Sequence, residues 1–444
     1  MKRVISVVIS VFFCCVLAVA QQDWIRTGTG LGVEKVRMAV PDFKPSGADA
    51  QSASLQKVFD NTLFYDLDHA GIFDMVSKSF MPTQVPGSPQ DVNMSQWSSP
   101  PPNAAMLVFG NLGVTGAKLT VQGWLYDLKN TSNPQILGKQ YNDTTSPEAA
   151  RSIAHKFADE IIFRLGGGLN GIAETKIVFV SSRSGHKEIW EMDYDGGNQH
   201  QLSHTGSIAL SPRISPDSSR VAFSGMTKNG WEILMYSMVL GRLVHFPHVG
   251  GSNFTPAWSP DGTHLAFSSS RTGDPELYVT DSDGAGLKRL TVHPGPDVAP
   301  VWNPKTGGQI AWVERSLVTR LPQICIMEAD GTNQQHVTDE GFAVSPSWSP
   351  NGQFLAFSWM RRFGPGEPGA QDIYVMDVTT HTWAQLTHGE GRNDFPSWSP
   401  DNRHLVFQSG RSGREEIWTM LADGTQQQPL TTSGGNYEPN WSWK

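Results

Sequence analysis

The stretch Pro256-Ala257-Trp258-Ser259-Pro260-Asp261-Gly262 determines the fold of this chain, because versions of it recur throughout the C-terminal part. The copies begin at intervals of 43 to 50 residues, at Pro212, Pro256, Pro300, Pro346, Pro396 and Pro439. A repeat of this length that holds several short strands is typical of one blade of a β-propeller. The sequence therefore predicts a propeller of six blades.

Each copy of the repeat predicts four strands. The P-x-W strand ends in a turn and is followed by a β-rich run, as at residues 264–267, and then by an alternating strand, as at residues 276–281. A D-G turn leads to a short fourth strand that ends in Leu-Thr. The region starts at Lys176 with a strand of the second type and finishes at residues 437–443 with one of the first type. One blade should therefore combine both ends of the region, so that the C-terminal strand closes the ring and covers its edges.

The first twenty residues predict an export signal. Lys2 and Arg3 precede an apolar run over residues 4–17, and Ala18-Val19-Ala20 forms a cleavage site. We expect cleavage after Ala20 and a soluble exported chain. Since Cys14 and Cys15 leave with the signal, Cys325 can form no internal disulfide, and its apolar neighbours predict a buried core side chain rather than a reactive thiol.

Residues 21–170 lack the repeat and predict a small α/β domain in front of the propeller, which spans residues 175–444. The second helix has clear start signals, with Ser146 as N-cap and Pro147 at its first position. The elements predicted for this domain are strands at 36–40, 105–109 and 119–128, helices at 48–69 and 147–165, and a loop at 80–103. The fold class is thus a two-domain protein: an α/β domain followed by a six-bladed all-β propeller with WD40-like repeats.

Composition and motifs exclude several function classes. The formal net charge is −8 and no basic run is present, which argues against nucleic acid or anionic lipid as a partner. The chain has no G-x-S-x-G, H-E-x-x-H or C-x-x-C motif. We therefore expect no catalytic residues, no metal site and no cofactor, and the protein should not be an enzyme.

Aromatic and polar residues at fixed places in the repeat are the remaining candidates. The motif tryptophans should pack between neighbouring sheets; they are Trp258, Trp302, Trp348, Trp398 and Trp441. Polar residues lie three positions before four of the motif prolines, where the loops open at the channel, and two acidic residues follow close by. These candidate partner-binding residues are Asn253, Asp297, Asn393, Asp394, Asn436 and Glu438. They could bind an extended peptide, although Asn and Asp also favour turns for local reasons.

Two other functions stay open at this point. One is a propeller hydrolase or lyase that acts on a sugar or peptide in the channel, and the other is a cation sensor that uses acidic residues at the channel mouth. A catalytic propeller should place His, Glu or Tyr at the channel positions, whereas the positions before the motif prolines are mostly Asn and Ala. The sequence therefore favours a binding protein.

The junction between the two predicted domains resembles that of the TolB family. The matching segments are His155-Lys156-Phe157-Ala158-Asp159-Glu160, then Leu165-Gly166-Gly167, and then residues 171–180. The resemblance implies a monomeric, non-enzymatic periplasmic scaffold of the Tol–Pal system that maintains outer-membrane integrity and supports constriction during cell division. It also implies that the channel face binds the peptidoglycan-associated lipoprotein Pal, with outer-membrane proteins as further partners.

The resemblance implies a second partner site in the segment after the signal peptide. This segment, residues 21–34, contains Trp24, Ile25 and Arg26 and would be offered to the inner-membrane protein TolA. It departs from the family pattern because residues 27–32 are rich in glycine.

Overall fold

The computed structural model describes residues 23–47, 49–362 and 369–444, and its contacts divide the chain into two units. Residues 31–174 form the first unit, and residues 175–444 together with residues 23–30 form the second. The expected cleavage site after Ala20 lies outside the described residues. Within the described ranges, no helix is long and apolar enough to cross a membrane.

The N-terminal segment corrects one predicted boundary. The sequence analysis assigned residues 21–30 to the α/β domain, but residues 23–29 form a short helix, α1, that packs on the propeller. The reason is an apolar contact, since the side chain of Ile25 is fully buried and the ring of Trp24 lies 5.4 Å from that of Phe354.

The first unit is a mixed sheet with helices. Its strands are β1 (Val36–Ala39), β2 (Lys44–Pro45), β3 (Phe73–Met75), β4 (Met106–Thr115), β5 (Lys118–Asp127) and β6 (Gln135–Thr144). The strand order is β3-β1-β4-β5-β6, and β2 also pairs with β4. Its helices are α2 (Ala50–His69), α3 (Met94–Ser98) and α4 (Pro147–Leu165), with 3-10 turns at Lys78–Phe80 and Pro89–Asp91.

Local sequence signals explain the two long helices. The side chain of Asp49 caps α2 by accepting a hydrogen bond from the backbone N–H of Ser52. The side chain of Ser146 caps α4 by accepting one from the backbone N–H of Ala149. The two helices pack against each other. Their buried faces carry apolar residues at helical spacing, which include Leu55, Phe59, Leu63 and Leu67 on α2 and Ile153, Phe157 and Ile161 on α4. Both predicted helices are confirmed.

The second unit is the propeller. Its strands, in chain order, are β7 (Lys176–Ser181), β8 (Glu188–Asp193), β9 (His200–Gln201), β10 (Ala209–Ile214), β11 (Arg220–Thr227), β12 (Gly230–Ser237), β13 (Arg242–Val244), β14 (Asn253–Trp258), β15 (His264–Ser269), β16 (Glu276–Asp281), β17 (Lys288–Arg289), β18 (Asp297–Trp302), β19 (Gln309–Arg315), β20 (Pro322–Glu328), β21 (Gln335–His336), β22 (Phe342–Trp348), β23 (Phe354–Met360), β24 (Asp372–Asp377), β25 (Trp383–Gln385), β26 (Asn393–Trp398), β27 (His404–Ser409), β28 (Glu416–Leu421), β29 (Gln428–Pro429) and β30 (Asn436–Trp441).

These strands form six antiparallel four-stranded sheets, which we name blades A to F. Blade A consists of β30, β7, β8 and β9, and blades B to F follow as β10–β13, β14–β17, β18–β21, β22–β25 and β26–β29. The first strand of each blade contacts the first strands of its neighbours, and β30 contacts β10, so the first strands line the centre of a closed ring. The predicted six blades and the closure by the C-terminal strand are therefore confirmed.

Aromatic side chains at one position of the second strand fill the space between the blades. They are Phe179, Phe223, Phe267, Trp312, Phe357 and Phe407, all fully buried. Cys325 is also buried, as expected. One large buried side chain per blade thus contributes to the packing between blades that supports the six first strands around the channel.

Candidate functional site: the propeller channel

The first strands enclose a cavity of about 260 Å³ on the axis of the propeller. Residues from all six blades line it, and they come from the P-x-W-S-P motif and the positions next to it. Side chains of one repeat position are therefore brought together from points that are far apart in the sequence.

A ring of strained residues surrounds this channel. In every blade the residue directly before the motif proline has a positive φ, between 48° and 56°. We call these six residues the channel ring: Ser211, Thr255, Ala299, Ser345, Phe395 and Glu438. A positive φ is uncommon for residues other than glycine and costs on the order of 1–3 kcal/mol at each position. Such strain persists only where the surrounding structure enforces it, and it concentrates at functional sites.

The pairing of the first two strands causes the strain. In blade C, for example, the register between β14 and β15 shifts between Phe254 and Ala257, and the same irregularity occurs in every blade. Such a bulge turns the backbone and re-aims a side chain. All six ring residues remain partly accessible to solvent.

Hydrogen bonds link the ring from blade to blade. The backbone N–H of Ser211 donates to Glu438 Oε2 at 2.6 Å, and that of Ala299 donates to Thr255 Oγ1 at 3.1 Å. The hydroxyl of Ser345 donates to Asp394 Oδ1 at 2.9 Å. The backbone N–H of Glu438 donates to Gln408 Oε1 at 3.2 Å. These bonds cross four of the six blade boundaries, and we call the ring residues together with the residues bonded to them the belt.

Glu438 is an acidic member of the belt in a protected environment. Burial raises the pKa of its carboxyl, although the hydrogen bonds from Ser211 and the charge of Arg213 act in the opposite direction. Arg213 lines the cavity, and burial lowers the pKa of its guanidinium. Glu438 lies directly before the cavity-lining Pro439 and does not itself line the cavity. The pair thus has surroundings in which charge interactions are stronger than in water.

The motif tryptophans contact both the core and the channel. Trp258 Nε1 donates to the carbonyl oxygen of Arg213 at 3.1 Å, and Trp302 Nε1 donates to that of Ala257 at 3.2 Å. Each of these bonds ties one first strand to the preceding one. The expected packing between blades is therefore present, and the same rings also line the cavity.

Four of the polar residues singled out from the sequence are fully buried at the starts of first strands: Asn253, Asp297, Asn393 and Asn436. Asn393 Nδ2 donates to Asp372 Oδ1 at 3.1 Å, and Asn436 Nδ2 donates to Glu416 Oε2 at 2.6 Å. Asn253 Nδ2 donates to the carbonyl oxygens of Gly250 and Gly251. These side chains fix the loops that enter the channel face.

Asp297, Asp394 and Glu438 have other surroundings. Asp297 accepts hydrogen bonds from Trp312 Nε1 at 3.2 Å and lies 2.9 Å from His293 Nδ1. Asp394 and Glu438 belong to the belt described above, and Asp394 also accepts from Arg392 at 3.0 Å. The structure thus brings Asp394 and Glu438 together with the channel ring. A role of the six residues in binding a partner stays a prediction.

Sequence reasoning identified Glu438 of the channel ring and missed its other five residues. The signal that could have revealed the ring is the position directly before each motif proline. Proline restricts the backbone of the residue before it and disfavours the helical region there, so this position was a candidate for an unusual conformation. A group of His, Cys and acidic side chains close enough to share a metal ion lies on blade D, outside the residues that line the channel.

The N-terminal segment lies on the propeller near the turns between first and second strands. Asn351 Nδ2 and Asn402 Nδ2 both donate to the carbonyl oxygen of Gly28, at 3.1 and 3.2 Å. Arg26 Nε lies 3.6 Å from Asp423 Oδ2. A Cβ atom on Gly28 would overlap the ring of Phe354, so the glycine permits this close approach. Trp24, Ile25 and Arg26 are therefore held against the propeller.

These features define a class of protein, a six-bladed β-propeller that carries an α/β domain ahead of its repeats. Two family models match the chain. The TolB beta propeller domain matches residues 164–363 and 305–444, and the TolB amino-terminal domain matches residues 29–133. The chain belongs to the TolB family.

Individual relatives agree with this assignment. The chain is 28% identical over 409 residues to the protein TolB homolog of Chlorobium luteolum, and it spans 90% of that relative's length. It is 33% identical over 223 residues to the Tol-Pal system protein TolB of Geobacter metallireducens, of which it spans about half. The crystal structure of TolB from Acinetobacter baumannii shares the fold, with a TM-score of 0.76 over 92% of this chain and 97% of that chain at 21% identity.

Proposed function

We propose that this protein is a non-enzymatic periplasmic component of the Tol–Pal system that binds a Pal-like lipoprotein at the mouth of its propeller channel. Through a TolA-like inner-membrane partner it would help to maintain outer-membrane integrity and constriction during cell division. The observation that carries the proposal is the channel ring, six strained and partly accessible residues in a propeller of the TolB family.

The chemistry of the ring suits a protein partner. Its side chains are two serines, a threonine, an alanine, a phenylalanine and a glutamate, so it offers hydrogen-bonding groups together with one aromatic side chain. Aromatic residues in pockets that a partner desolvates often supply most of an interface's binding energy. Because Asn253, Asp297, Asn393 and Asn436 are buried, their contribution would be to set the loop conformations, while Asp394 and Glu438 anchor the belt.

The substitutions Phe395→Asn and Glu438→Gln test whether the channel ring binds the lipoprotein. Asn tolerates a positive φ, and Gln keeps the shape of Glu, so both variants should fold. Each is expected to weaken binding of the soluble domain of the host's Pal-like lipoprotein at least tenfold, because each removes an anchor from the channel wall. Isothermal titration calorimetry with residues 21–444 measures the dissociation constant.

The matched control is Phe80→Asn, which replaces an exposed aromatic residue of the α/β unit. It should bind as the wild type does. If both channel variants also bind with unchanged affinity, the channel ring is the wrong surface. If the wild-type protein does not bind the lipoprotein at all, the proposed function itself fails.

The segment with Trp24, Ile25 and Arg26 is proposed as the site for the TolA-like partner. Since Ile25 is fully buried against the propeller, the segment must leave this position before a partner can contact all three side chains. The apparent affinity then depends on the fraction of molecules in which the segment is released. The two hydrogen bonds to Gly28 from Asn351 and Asn402 help to determine that fraction.

The double variant Asn351→Asp/Asn402→Gly is expected to strengthen TolA binding several-fold. In the corresponding turn of blade C, Asp261 stands at the position of Asn351 and Gly262 stands at the position of Asn402. Both substitutions therefore suit the repeat. They remove both donors to the Gly28 carbonyl oxygen and place a carboxylate near it, which favours release. Surface plasmon resonance with the host's TolA-like domain measures the change.

Asn333→Gly is the control, since Asn333 also has a positive φ but lies in an exposed turn of blade D. It should leave the affinity unchanged. Equal binding by the double variant and the wild type would show that the contacts of Gly28 do not limit access to the segment.

A further inference from the structure

Blade D carries a cluster of side chains with the composition of a transition-metal site. Cys325 Sγ lies 3.6 Å from Glu314 Oε2 and 3.6 Å from His336 Nδ1. His336 Nε2 lies 3.9 Å from Glu314 Oε2, and His293 Nδ1 lies 4.0 Å from the same oxygen. One thiol, one carboxylate and one imidazole therefore lie close enough to share an ion, and His293 lies beside Glu314 in a second group with Asp297.

The strand register explains this convergence. Cys325 on β20 pairs directly with His336 on β21 and with Trp312 on β19. Side chains opposite each other on neighbouring strands share a face, and so do residues two apart on one strand. Glu314 follows Trp312 by two positions, so it lies on the same face as Cys325 and His336. His293, in the connection between blades C and D, lies beside Glu314.

The spacing fits four-coordinate zinc. With Zn–S bonds of about 2.3 Å and Zn–N or Zn–O bonds of about 2.0–2.2 Å, tetrahedral geometry separates sulfur from nitrogen or oxygen by about 3.6 Å, and nitrogen from oxygen by about 3.4 Å. The two distances from Cys325 Sγ, to Glu314 Oε2 and to His336 Nδ1, match the first value, with Nδ1 as the nitrogen that would bind the ion.

Asp297 occupies the ring nitrogen of His293 that lies nearest to the cluster. It lies 2.9 Å from His293 Nδ1, and Trp312 Nε1 donates to its other oxygen. Because a ring nitrogen that donates to Asp297 has no lone pair for a metal ion, His293 is not a ligand. Water would take the fourth position, as in open zinc sites with three protein ligands.

Access and charge also suit a bound cation. The side chains of His336 and His293 are 49% and 27% exposed, which leaves an approach from solvent, whereas Cys325 is almost completely buried. A borderline-soft divalent ion prefers thiolate and imidazole, whereas Ca²⁺ and Mg²⁺ prefer oxygen ligands. We infer that Glu314, Cys325 and His336 form a site for one Zn²⁺-class ion, with water as its fourth ligand, that joins strands β19, β20 and β21 of blade D.

Cobalt substitution tests the site in the mature chain, residues 21–444, after treatment with a chelator. We expect one equivalent of Co²⁺ to give a thiolate-to-cobalt charge-transfer band and the intense d–d bands of four-coordinate cobalt, and Zn²⁺ to displace it. Cys325→Ser should abolish the charge-transfer band and lower Zn²⁺ affinity at least tenfold. His336→Gln, at a half-exposed position, should lower the affinity similarly and keeps the test valid if Cys325→Ser folds poorly.

The matched control is His388→Gln, an exposed histidine in the corresponding connection between blades E and F. It should retain the full stoichiometry and spectrum. A weak six-coordinate spectrum without the thiolate band, or equal Zn²⁺ affinity in the wild type, Cys325→Ser and His336→Gln, would overturn the proposal. In that case the contact between Cys325 and Glu314 is only a weak hydrogen bond in the core. The measurement involves no protein partner, so its outcome is independent of Pal binding.

Discussion

Asp401→Ala is expected to lower the free energy of unfolding of the propeller by about 3–5 kcal/mol. Asp401 and Arg403 are both almost completely buried in the turn between β26 and β27. Asp401 Oδ2 accepts from Arg403 Nε at 3.2 Å and lies 2.9 Å from His404 Nδ1. Without the carboxylate, the guanidinium of Arg403 would remain buried without a charged partner, and that is costly. Chemical denaturation of residues 21–444 measures the loss.

The repeat provides a control for this variant. Asp217 occupies the same turn position in blade B, but it is exposed and accepts its hydrogen bonds from Ser215 and Ser219. Asp217→Ala should cost only about 1 kcal/mol. Adding Arg403→Met to Asp401→Ala should recover part of the loss, because it removes the unpaired charge. Equal losses for the two single variants would show that the buried pair has no special role.

The carboxyl of Asp401 should also make the free energy of unfolding depend on pH. Burial alone would raise the pKa of Asp401, but the charges of His404 and Arg403 and the local hydrogen bonds outweigh it and hold the pKa well below the usual range. A carboxyl with a depressed pKa in the folded state contributes stability above its unfolded pKa of about 3.9 and loses that contribution as the pH falls below it. The wild type should therefore lose stability more steeply below about pH 4 than Asp401→Asn does.

The period of the repeat was enough to predict the propeller, because each copy carries its own turn and strand signals. The α/β unit was predicted less completely. Helices α2 and α4 have capping residues and apolar faces, whereas β3 has three residues and β6 is mostly exposed, so neither shows an apolar pattern. Strands of this kind are determined by their neighbours in the sheet rather than by their own sequence.

The candidate site depends even more on tertiary structure. Asn393 was predicted as a turn or binding residue, but its partner Asp372 belongs to the preceding blade. The positive φ of Phe395 results from a bulge against β27, and no property of phenylalanine predicts it. The cluster on blade D is assembled from different strands, so Glu314, Cys325 and His336 lie too far apart in the sequence to form a motif.

Deletion of residues 436–444 should abolish the cooperative unfolding transition of the propeller. Strand β30 pairs with β7 from Asn436 opposite Ser181 to Trp441 opposite Ile177. Trp441 is nearly fully buried, and its Nε1 donates to Thr175 Oγ1 at 2.7 Å. Trp441→Ala alone should cost about 3–5 kcal/mol because it leaves a large cavity. Differential scanning calorimetry of both variants checks these expectations.

Adding the missing strand as a peptide distinguishes an effect of the open ring from an effect of the shorter chain. A synthetic peptide of residues 436–444 should restore the transition of the truncated protein, because it can pair with the exposed edge of β7 in the same register. Removal of Lys444 alone should change the stability by less than about 0.5 kcal/mol, since this residue is exposed and lies beyond β30. If the truncated protein unfolds like the wild type, or the peptide has no effect on it, β30 is not the element that closes the ring. A positive result would show that blade A, assembled from strands about 260 residues apart in sequence, maintains the channel to which we assign the proposed partner.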